Sequence, residues 1–386
     1  MKRETLCVID EPDEPSRPVN VPAYFSSTYH LDDEAYRKIA AGEGRRSYVY
    51  SRWRNPTVAA LEQKMARLEE GESAIATASG MAAISSMMLS FLGEGDALVT
   101  SRDLYGGTFS FIEKELRTLG VTIHYVDCTS PDEVAAAVTD DTALLFFESV
   151  TNPLLNVVDV PAMASVAHDH GLPLVIDATF ASPINQQPLR LGADVVIHST
   201  SKYIGGHSDL IGGMIIASQE TCDDIWGTMT RYGGCLGPHV AYLLLRSLKT
   251  LHLRMQAHNS NAMQVACFLE EHDTVERVWY PGLTSHPQHA LAGEMLQAYG
   301  GMVSFRIYGS DEDGIRFMRK LRVAREATSL GGVETLVSMP YNTSHSYLSD
   351  EERAAIGIQP GTIRLSVGVE HADDLIEDIS QALDAI

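Results

Sequence analysis

Residues 174–206 read LVIDATFASPINQQPLRLGADVVIHSTSKYIGG, and they are the strongest indicator of the chain's architecture. The segment contains two short apolar runs, 174–177 and 195–198, that are rich in β-branched residues. Both runs are too apolar for a strand with one face in water, so they indicate strands buried on both faces of a mostly parallel sheet. In such sheets ligands bind beyond the carboxyl ends of the strands. Asp177 and Lys202 are therefore candidate site residues.

The same pattern continues on both sides of this segment. Short apolar runs alternate with helical patterns, which predicts an α/β domain with a mostly parallel sheet covered on both faces. The further runs are 97–100, 121–126 and 143–147, and the helical patterns lie near 80–92, 105–119, 131–138 and 160–169. Beyond residue 235 a long helical region is followed by strand-like runs at 302–307, 333–339 and 362–367, which predicts a smaller α+β domain.

The first 55 residues have a different character. They form no clear periodic pattern, contain several prolines and end in the aromatic and basic run 48–54 (YVYSRWR). A poor core former of this kind is expected to be an irregular arm that packs on a neighbouring subunit. We therefore divide the chain into an arm (1–55), a large domain (56–245) and a C-terminal α+β domain (246–386).

The composition argues against some classes of binding partner. The chain has 386 residues, 45% hydrophobic and 21% charged, with a formal net charge of −22. So acidic a surface repels phosphate backbones and anionic lipid, which argues against nucleic acid and membrane partners. Residues 73–93 carry no charge and are long enough to span a bilayer, but they contain several serines and lie between polar segments. We expect a buried helix there.

The five cysteines are scattered and never form a Cys-x-x-Cys pair. This pattern argues against a disulfide framework or a zinc site and favours a reducing compartment. The N-terminal MKRETLCVIDEPDEP has no apolar core, so we predict no signal peptide and a cytoplasmic location.

The polar residues near the strand ends match the needs of one cofactor, pyridoxal 5'-phosphate (PLP). PLP requires a lysine for a Schiff base and an anion near its pyridine nitrogen, for which Lys202 and Asp177 are candidates. Its phosphate requires N–H groups at a helix N-terminus, hydroxyls and a cation. Candidates for that cradle are Gly80, Met81, Ser199, Ser201 and Arg52. Tyr105, in a Gly-flanked turn, could cover one face of the ring.

Arg364 is the most unusual single residue. It lies between Ile363 and Leu365 in an apolar strand pattern, where a charge requires a partner. A buried ion pair and a clamp on a substrate carboxylate both remain open.

Several longer motifs point to one family. They run in order from residue 50 to residue 368. They are Tyr50-Ser-Arg-x-x-Asn-Pro-Thr57, Ser79-Gly-Met81, Tyr105-Gly-Gly-Thr108, Glu148-x-x-x-Asn-Pro153, Asp177-Ala-Thr179, His198-Ser-Thr-Ser-Lys-Tyr203, Gly206-His-Ser-Asp209, Leu248-Lys-Thr-Leu-His-x-Arg-Met255, Ser329-Leu-Gly-Gly332 and Ile363-Arg-Leu-Ser-Val-Gly368. The set resembles the Cys/Met-metabolism PLP enzymes, that is, cystathionine γ-lyases, methionine γ-lyases, cystathionine γ-synthases, cystathionine β-lyases and O-acylhomoserine sulfhydrylases.

The resemblance implies a fold and a role for each matching residue. It implies PLP fold type I, the aspartate-aminotransferase-like fold, and a homodimer usually doubled to a tetramer. It implies that Lys202 forms the Schiff base, that Asp177 pairs with the pyridine nitrogen, and that Asn152 contacts the ring hydroxyl. Tyr105 would stack on the ring and transfer protons, and Ser329 and Arg364 would bind the substrate carboxylate. The implied phosphate-binding residues are Gly80, Met81, Ser199 and Ser201. The resemblance also implies that Tyr50 and Arg52 reach the phosphate of a neighbouring subunit's cofactor.

Departures from the family pattern bear on the reaction. Gly107 stands where methionine γ-lyases usually carry Cys, while Val49, Thr328 and Ser110 stand where cystathionine γ-lyases carry charged residues. We interpret this as a neutral distal pocket. It favours γ-elimination on a methionine-like or other homoserine-type substrate, releasing a 2-oxo acid and ammonia. γ-Replacement and β-elimination from cystathionine remain open. The contributions of Trp53, Arg54 and the stretch from Tyr341 to His345 cannot be predicted.

Two rival readings come from other classes. Ser199-x-x-Lys202 formally matches the Ser-x-x-Lys motif of acyl hydrolases, but the Ser-Asp-Asn and Lys-Thr-Gly elements that accompany it are missing from the sequence. A PLP aminotransferase would share the fold type and would not explain the whole motif series.

Overall fold

The structure is a computed structural model that describes residues 1–10, 18–344, 346 and 349–386. The strands are β1 (Ser73–Thr77), β2 (Ala97–Ser101), β3 (Thr122–Val126), β4 (Thr142–Glu148), β5 (Leu174–Asp177), β6 (Val195–Ser199), β7 (Gly213–Ala217), β8 (Val275–Trp279), β9 (Met302–Ile307), β10 (Arg325–Glu326), β11 (Leu336–Ser338) and β12 (Thr362–Ser366). The helices are α1 (Arg3–Val8), α2 (Asp33–Ala40), α3 (Pro56–Glu69), α4 (Gly80–Phe91), α5 (Gly106–Phe111), α6 (Pro131–Ala137), α7 (Val160–Asp169), α8 (Ser182–Asn185), α9 (Gln219–Tyr232), α10 (Pro238–Leu248), α11 (Leu251–Glu270), α12 (His289–Met295), α13 (Asp311–Lys320), α14 (Asp350–Ala355) and α15 (Ala372–Leu383).

The large sheet has the strand order β1-β7-β6-β5-β4-β2-β3. Its central pairs, β2 with β3 and β4, β4 with β5, and β5 with β6, are parallel, while β7 runs antiparallel to both β1 and β6. The carboxyl ends of β4, β5 and β6 consequently meet at one edge. Glu148 at the end of β4 is in register with Asp177 at the end of β5.

Both faces of this sheet are covered, as the sequence predicts. Val175 packs in the apolar layer that contains Met87 of α4, whereas the next residue, Ile176, packs in the layer that contains Met163 of α7. Successive residues of a strand point to opposite faces, so a strand with apolar layers on both sides must be apolar throughout. The α/β fold class is confirmed.

The expectation of one buried helix over residues 73–93 is wrong in its first part. Ser73–Thr77 forms strand β1, paired antiparallel with β7, and the helix starts at Gly80. The Ser79 hydroxyl accepts a hydrogen bond from the N–H of Ala82 at 3.0 Å and caps the helix. A short apolar run does not distinguish a strand from a buried helix by periodicity. Ser79 is the local signal that marks the boundary.

A second, five-stranded sheet has the order β10-β11-β12-β9-β8. Strands β9 and β12 form its antiparallel centre, and apolar residues of α11, α13 and α15 pack against it. The sequence predicts β9, β11 and β12 but misses β8 and β10; β10 is only two residues long and exposed. The expected boundary at residue 245 falls within α10, and the division into 56–245 and 246–386 stays a prediction.

The arm is less irregular than predicted. It contains α1 and α2, and Arg3 of α1 donates to the backbone oxygen of Ile184 at 2.6 Å. Residues 11–17, an acid-rich run between these two helices, lie outside the described residues. Among the helices that are described, none is both long and apolar enough to cross a membrane.

Candidate active site

A cavity of about 820 Å³ lies at the carboxyl edge of the large sheet. Its lining contains all of the candidate site residues except Tyr50 and Arg52. The lining candidates are Gly80, Met81, Tyr105, Asn152, Asp177, Ser199, Ser201, Lys202, Ser329 and Arg364. Residues far apart in sequence thus converge because β4, β5 and β6 end together and the C-terminal domain closes the opposite side with Ser329 and Arg364.

Lys202 lies on the turn that follows β6. Its Nζ donates to the Ser329 hydroxyl at 2.8 Å. Burial, with a further contribution from the nearby Arg364 guanidinium, lowers the pKa of Lys202 to about 8. An amine with this pKa is available as a nucleophile or base near neutral pH, which an ordinary lysine is not.

Arg254, which sequence reasoning did not single out, holds this turn in place. It is buried, and its guanidinium donates to the backbone oxygens of Tyr203 and Ile204. Gly206 has a φ of +67°, and a Cβ there would lie 2.0 Å from the Arg254 Nη1. Only glycine combines that backbone conformation with so close an approach.

Asp177 is a buried carboxylate that accepts hydrogen bonds from both the N–H and the hydroxyl of Thr179, the former at 2.9 Å. The Thr179 hydroxyl oxygen in turn accepts from the Ser199 N–H at 2.8 Å, so the ends of β5 and β6 are linked. Burial raises the pKa of Asp177, while the Thr179 donors and His198 oppose the rise. A bound cation next to this carboxylate would stabilise its ionised form.

The start of α4 and the end of β6 form a concave surface. Gly80 is the first residue of α4, and a Cβ on it would lie 2.8 Å from the Ser199 Cβ. The missing side chain brings helix N–H groups close to the serine hydroxyls, a typical anion site. The Ser201 hydroxyl also accepts from the Gly212 N–H at 3.0 Å, which fixes its position.

Arg364 is buried and its guanidinium is hydrogen-bonded to neutral groups. Its Nη1 donates to the Asn152 Oδ1 at 2.9 Å, and its Nη2 donates to the backbone oxygen of Ser329 at 3.3 Å. None of the ion pairs found between described residues involves Arg364, which favours the interpretation as a clamp on a substrate carboxylate. Burial lowers its pKa to about 10. A buried guanidinium held by neutral oxygens retains capacity for an anionic ligand.

Tyr105 lies at the mouth of the cavity, 47% exposed. Its backbone N–H donates to the Glu148 Oε1 at 2.6 Å. Glu148 lines the cavity too, although the sequence analysis includes it only as a member of a motif. Glu334, whose carboxylate accepts from the Ser208 hydroxyl, is a second lining acid that sequence reasoning missed.

Tyr50 and Arg52 lie outside this cavity within a single chain. The Arg52 guanidinium donates to the Thr230 backbone oxygen at 3.1 Å and lies 5.6 Å from the centre of the Tyr50 ring. The neighbouring Trp53 packs edge-to-face on Trp226, with ring centres 6.4 Å apart. Trp53 therefore anchors the arm on α9.

Apart from Glu148 and Glu334, the rest of the cavity lining consists mainly of small hydroxyl and apolar residues. It includes Ile211, Ala327, Thr328, Leu336, Thr343 and Ser344. Of the three positions used to predict a neutral distal pocket, Thr328 lines the cavity, whereas Val49 and Ser110 are not among its lining residues. His345 lies outside the described residues.

These groups suit PLP. A lysine of lowered pKa, a buried carboxylate with room for a cation and an anion cradle at a helix N-terminus are the three contacts this cofactor needs. The cradle is the most specific of them, because the surface at Gly80 exists only while that residue lacks a Cβ.

Comparisons with known proteins agree. The family model described as Cys/Met metabolism PLP-dependent enzyme matches residues 4–384. A cystathionine gamma-lyase of Bacillus subtilis is 43% identical over 389 residues, covering 100% of both chains, and an L-methionine gamma-lyase of Fusobacterium nucleatum is 43% identical over 95% of this chain and 93% of the relative. The crystal structure of cystathionine gamma-lyase from Lactobacillus plantarum complexed with L-serine superposes with a TM-score of 0.93 at 37% identity, covering 100% of this chain and 99% of that one. The chain therefore belongs to the Cys/Met metabolism PLP-dependent enzyme family, and its cofactor is pyridoxal 5'-phosphate.

Proposed function

We propose that this enzyme catalyses γ-elimination on a sulfur- or oxygen-substituted homoserine-type amino acid such as methionine. The observation that carries the proposal is the mainly neutral wall around Thr328, which lies in the same cavity as Lys202 and Arg364. A short uncharged γ-substituent fits that wall without leaving a buried charge unpaired. With methionine, the balanced reaction consumes one water and yields methanethiol, 2-oxobutanoate and ammonia.

Lys202 is the proton carrier in this proposal. With a pKa of about 8, about one tenth of its amines are neutral at pH 7, against fewer than about one in a thousand at the ordinary value. With PLP held in the site, a neutral Nζ would take the α-proton of the substrate, pass it on to the bound cofactor, and so be neutral again to take a β-proton. Its hydrogen bond to Ser329 holds it at the substrate side of the cavity.

PLP, when bound, accepts the electron pair that remains on a substrate carbon after a proton leaves. Asp177 supports this by keeping a negative charge beside the pyridine nitrogen. Its hydrogen bonds from Thr179 orient the carboxylate and favour the ionised form.

Arg364 orients the substrate, and Asn152 and Ser329 lie beside it. The Arg364 guanidinium binds the α-carboxylate in a charge-assisted contact. Tyr105 stacks on the cofactor and, through its phenol oxygen, removes a proton from the incoming ammonium group or gives one to the leaving group.

The arm completes the site across a homodimer, which pairs again as a tetramer. Tyr50, 45% exposed, and Arg52 lie outside the cavity of their own chain, while Arg364 is the only arginine among the described residues that line the cavity of Gly80 and Ser199. Arg52 of one subunit therefore neutralises the phosphate bound by the other.

Membership of the family leaves the acyl-hydrolase and aminotransferase readings without support. Glu334 favours one alternative. Its carboxylate lies in the cavity wall and could attract the distal ammonium group of cystathionine, which β- or γ-elimination from that substrate would require. γ-Replacement uses the same catalytic groups and differs in whether an added thiol reaches the site.

The test is to offer methionine, cystathionine and O-acetylhomoserine separately, without added thiol, and to identify the oxo acid released. Rapid formation of 2-oxobutanoate from methionine or O-acetylhomoserine, with cystathionine poor, is the expected result. Pyruvate from cystathionine as the main product would refute the proposal and favour β-elimination guided by Glu334.

A further inference from the structure

We infer that Glu148 is a positioning residue, whose single carboxylate holds the Tyr105 turn and the Asn152 loop in place around the cofactor. The inference rests on the proposed contacts of Tyr105 and Asn152 with PLP. It does not depend on which amino acid the enzyme consumes.

The location of Glu148 supports this role. It is the last residue of β4, in register with Asp177 on β5, and only 6% of it is exposed. Its Oε1 accepts the Tyr105 N–H at 2.6 Å, and the backbone of Asn152 is close enough to lower the pKa of the carboxylate. One side chain on the rigid sheet thus binds the backbone of the Tyr105 turn and lies next to the backbone of the Asn152 loop.

Asn152 continues this link to the rest of the cavity. Its Oδ1 accepts from Arg364, which also donates to the backbone oxygen of Ser329, and Ser329 accepts from the Lys202 Nζ. Glu148 therefore lies next to a hydrogen-bonded series that runs from Asn152 to the Lys202 amine. A shift of the Asn152 loop would be transmitted to Arg364.

On the other side, the ring of Tyr105 has little freedom once its backbone is fixed. A Cβ at Gly107 would lie 2.5 Å from the Tyr105 Cε1 and 3.1 Å from the Met81 sulfur. Because Gly107 has no side chain, it leaves room for the ring. The hydrogen bond to Glu148 fixes the position of the turn that carries the ring.

A buried acid here is costly, which argues that it has a function. Burial and the neighbouring Asp177 raise the pKa of Glu148, and the N–H groups of Tyr105 and Asn152 oppose the rise. A residue of similar volume without charge would avoid the desolvation and the repulsion. What such a residue lacks is a charged acceptor for the Tyr105 N–H beside the Asn152 backbone.

The experiment compares Glu148→Gln, Tyr105→Ala and the double variant with the wild-type holoenzyme. The amide of Gln has one acceptor oxygen and would turn an NH2 group toward the second N–H. The measurements are the Kd of PLP for the apoenzyme, the circular dichroism of the bound cofactor, kcat and KM. No substrate is needed for the first two, so they remain informative if the proposed reaction is wrong.

The matched control is Asp378→Asn. Asp378 is also buried and accepts three backbone N–H groups, those of Arg322, Val323 and Ala324 at 2.7, 2.8 and 3.1 Å, but it does not line the cavity. It is expected to lower the unfolding temperature and to leave the cofactor's dichroism and Kd unchanged.

For Glu148→Gln we expect PLP to bind about tenfold more weakly, the dichroism to change, and kcat to fall more than KM rises. Because Glu148 acts partly through the ring, the change in dichroism should largely disappear when Glu148→Gln is made in the Tyr105→Ala background. If Glu148→Gln instead resembled Asp378→Asn, or if its effects added fully to those of Tyr105→Ala, the inference would be wrong. Should Glu148→Gln not fold, Glu148→Asp, which keeps both oxygens but is shorter by one methylene, serves the same comparison with the same expected changes.

Discussion

The carboxyl edge of the large sheet and the N-terminal arm differ in how they would contribute to the proposed site. At the sheet edge, Asp177, Lys202 and Gly80 already lie around one cavity in a single chain. In the arm, the Arg52 guanidinium donates a hydrogen bond to the backbone oxygen of Thr230 and lies outside that cavity. The groups that perform the chemistry are held by one subunit, and the proposed cation for the phosphate requires a second one.

The difference follows from how each region is stabilised. The sheet edge is set by backbone pairing and by two apolar layers, which fix strand ends in a monomer. The arm has few such contacts; Trp53 on Trp226 is its main aromatic anchor near Arg52. The proposed dimer would bring the arm into its functional position through assembly.

Removing the central residue of the sheet edge should have the largest effect. Lys202→Ala is expected to lower kcat by at least about 10³-fold, because both the cofactor's attachment and the proton carrier are lost. Steady-state release of oxo acid measures this. Lys320→Ala, which changes an exposed lysine on α13, should keep full activity; equal losses in both variants would contradict the role of Lys202.

Mixing subunits separates the two regions. Arg52→Ala and Lys202→Ala enzymes are each expected to be nearly inactive. If the arm acts across the dimer, dissociating and reassembling an equal mixture should restore activity to about a quarter of the wild-type value, because half of the dimers are mixed and one site in each is intact. Activity that stays at the level of the separate variants after exchange would show that Arg52 serves its own chain.

Arg364→Gln tests the coupling inside the sheet-edge site. Loss of the positive charge should raise the pKa of Lys202 above about 8. Because only the neutral amine captures PLP, the rate of cofactor capture by the apoenzyme should then rise at higher pH than in the wild type. The substrate KM should also rise by about 10- to 100-fold through loss of a charge-assisted contact. Arg306→Gln, outside the cavity, should change neither; a capture profile unmoved by Arg364→Gln would contradict the coupling.

The smallest effect is expected for the arm's anchor. Trp53→Leu removes an aromatic pair worth about 0.5–1.5 kcal/mol, so PLP should bind a few-fold more weakly, with kcat nearly unchanged. Trp53→Phe keeps a ring edge against Trp226 and should recover most of the affinity. Equal Kd values for all three proteins would mean that this anchor does not position Arg52.

The sequence predicted the sheet-edge site more completely than the rest. Parallel strands that are buried on both faces must be apolar, so Leu174–Asp177 and Val195–Ser199 can be recognised as strands in the sequence. The polar residues at their carboxyl ends are then predicted to lie at the ligand-binding edge of the sheet. Ser73–Thr77 was misassigned because a short Ala-rich strand has no helical or strand-specific period.

Residues that act through backbone contacts could not be found in this way. Glu148 and Arg254 bind backbone N–H groups and carbonyl oxygens of loops that are distant in sequence, and nothing in their local pattern indicates these partners. The sequence singles out Arg364 because a charge in an apolar strand is rare, but its neutral hydrogen-bond partners are identified only by the structure.

The central claim is that Lys202 holds the cofactor, and borohydride reduction of the holoenzyme tests it most directly. Reduction traps PLP on the lysine that carries it, and peptide mass mapping then locates the label. We predict that the label lies on Lys202, within a peptide that spans residues 191–231 because trypsin no longer cleaves at the modified lysine. A label on another lysine, such as Lys249 or Lys64, would contradict the assignment of the site.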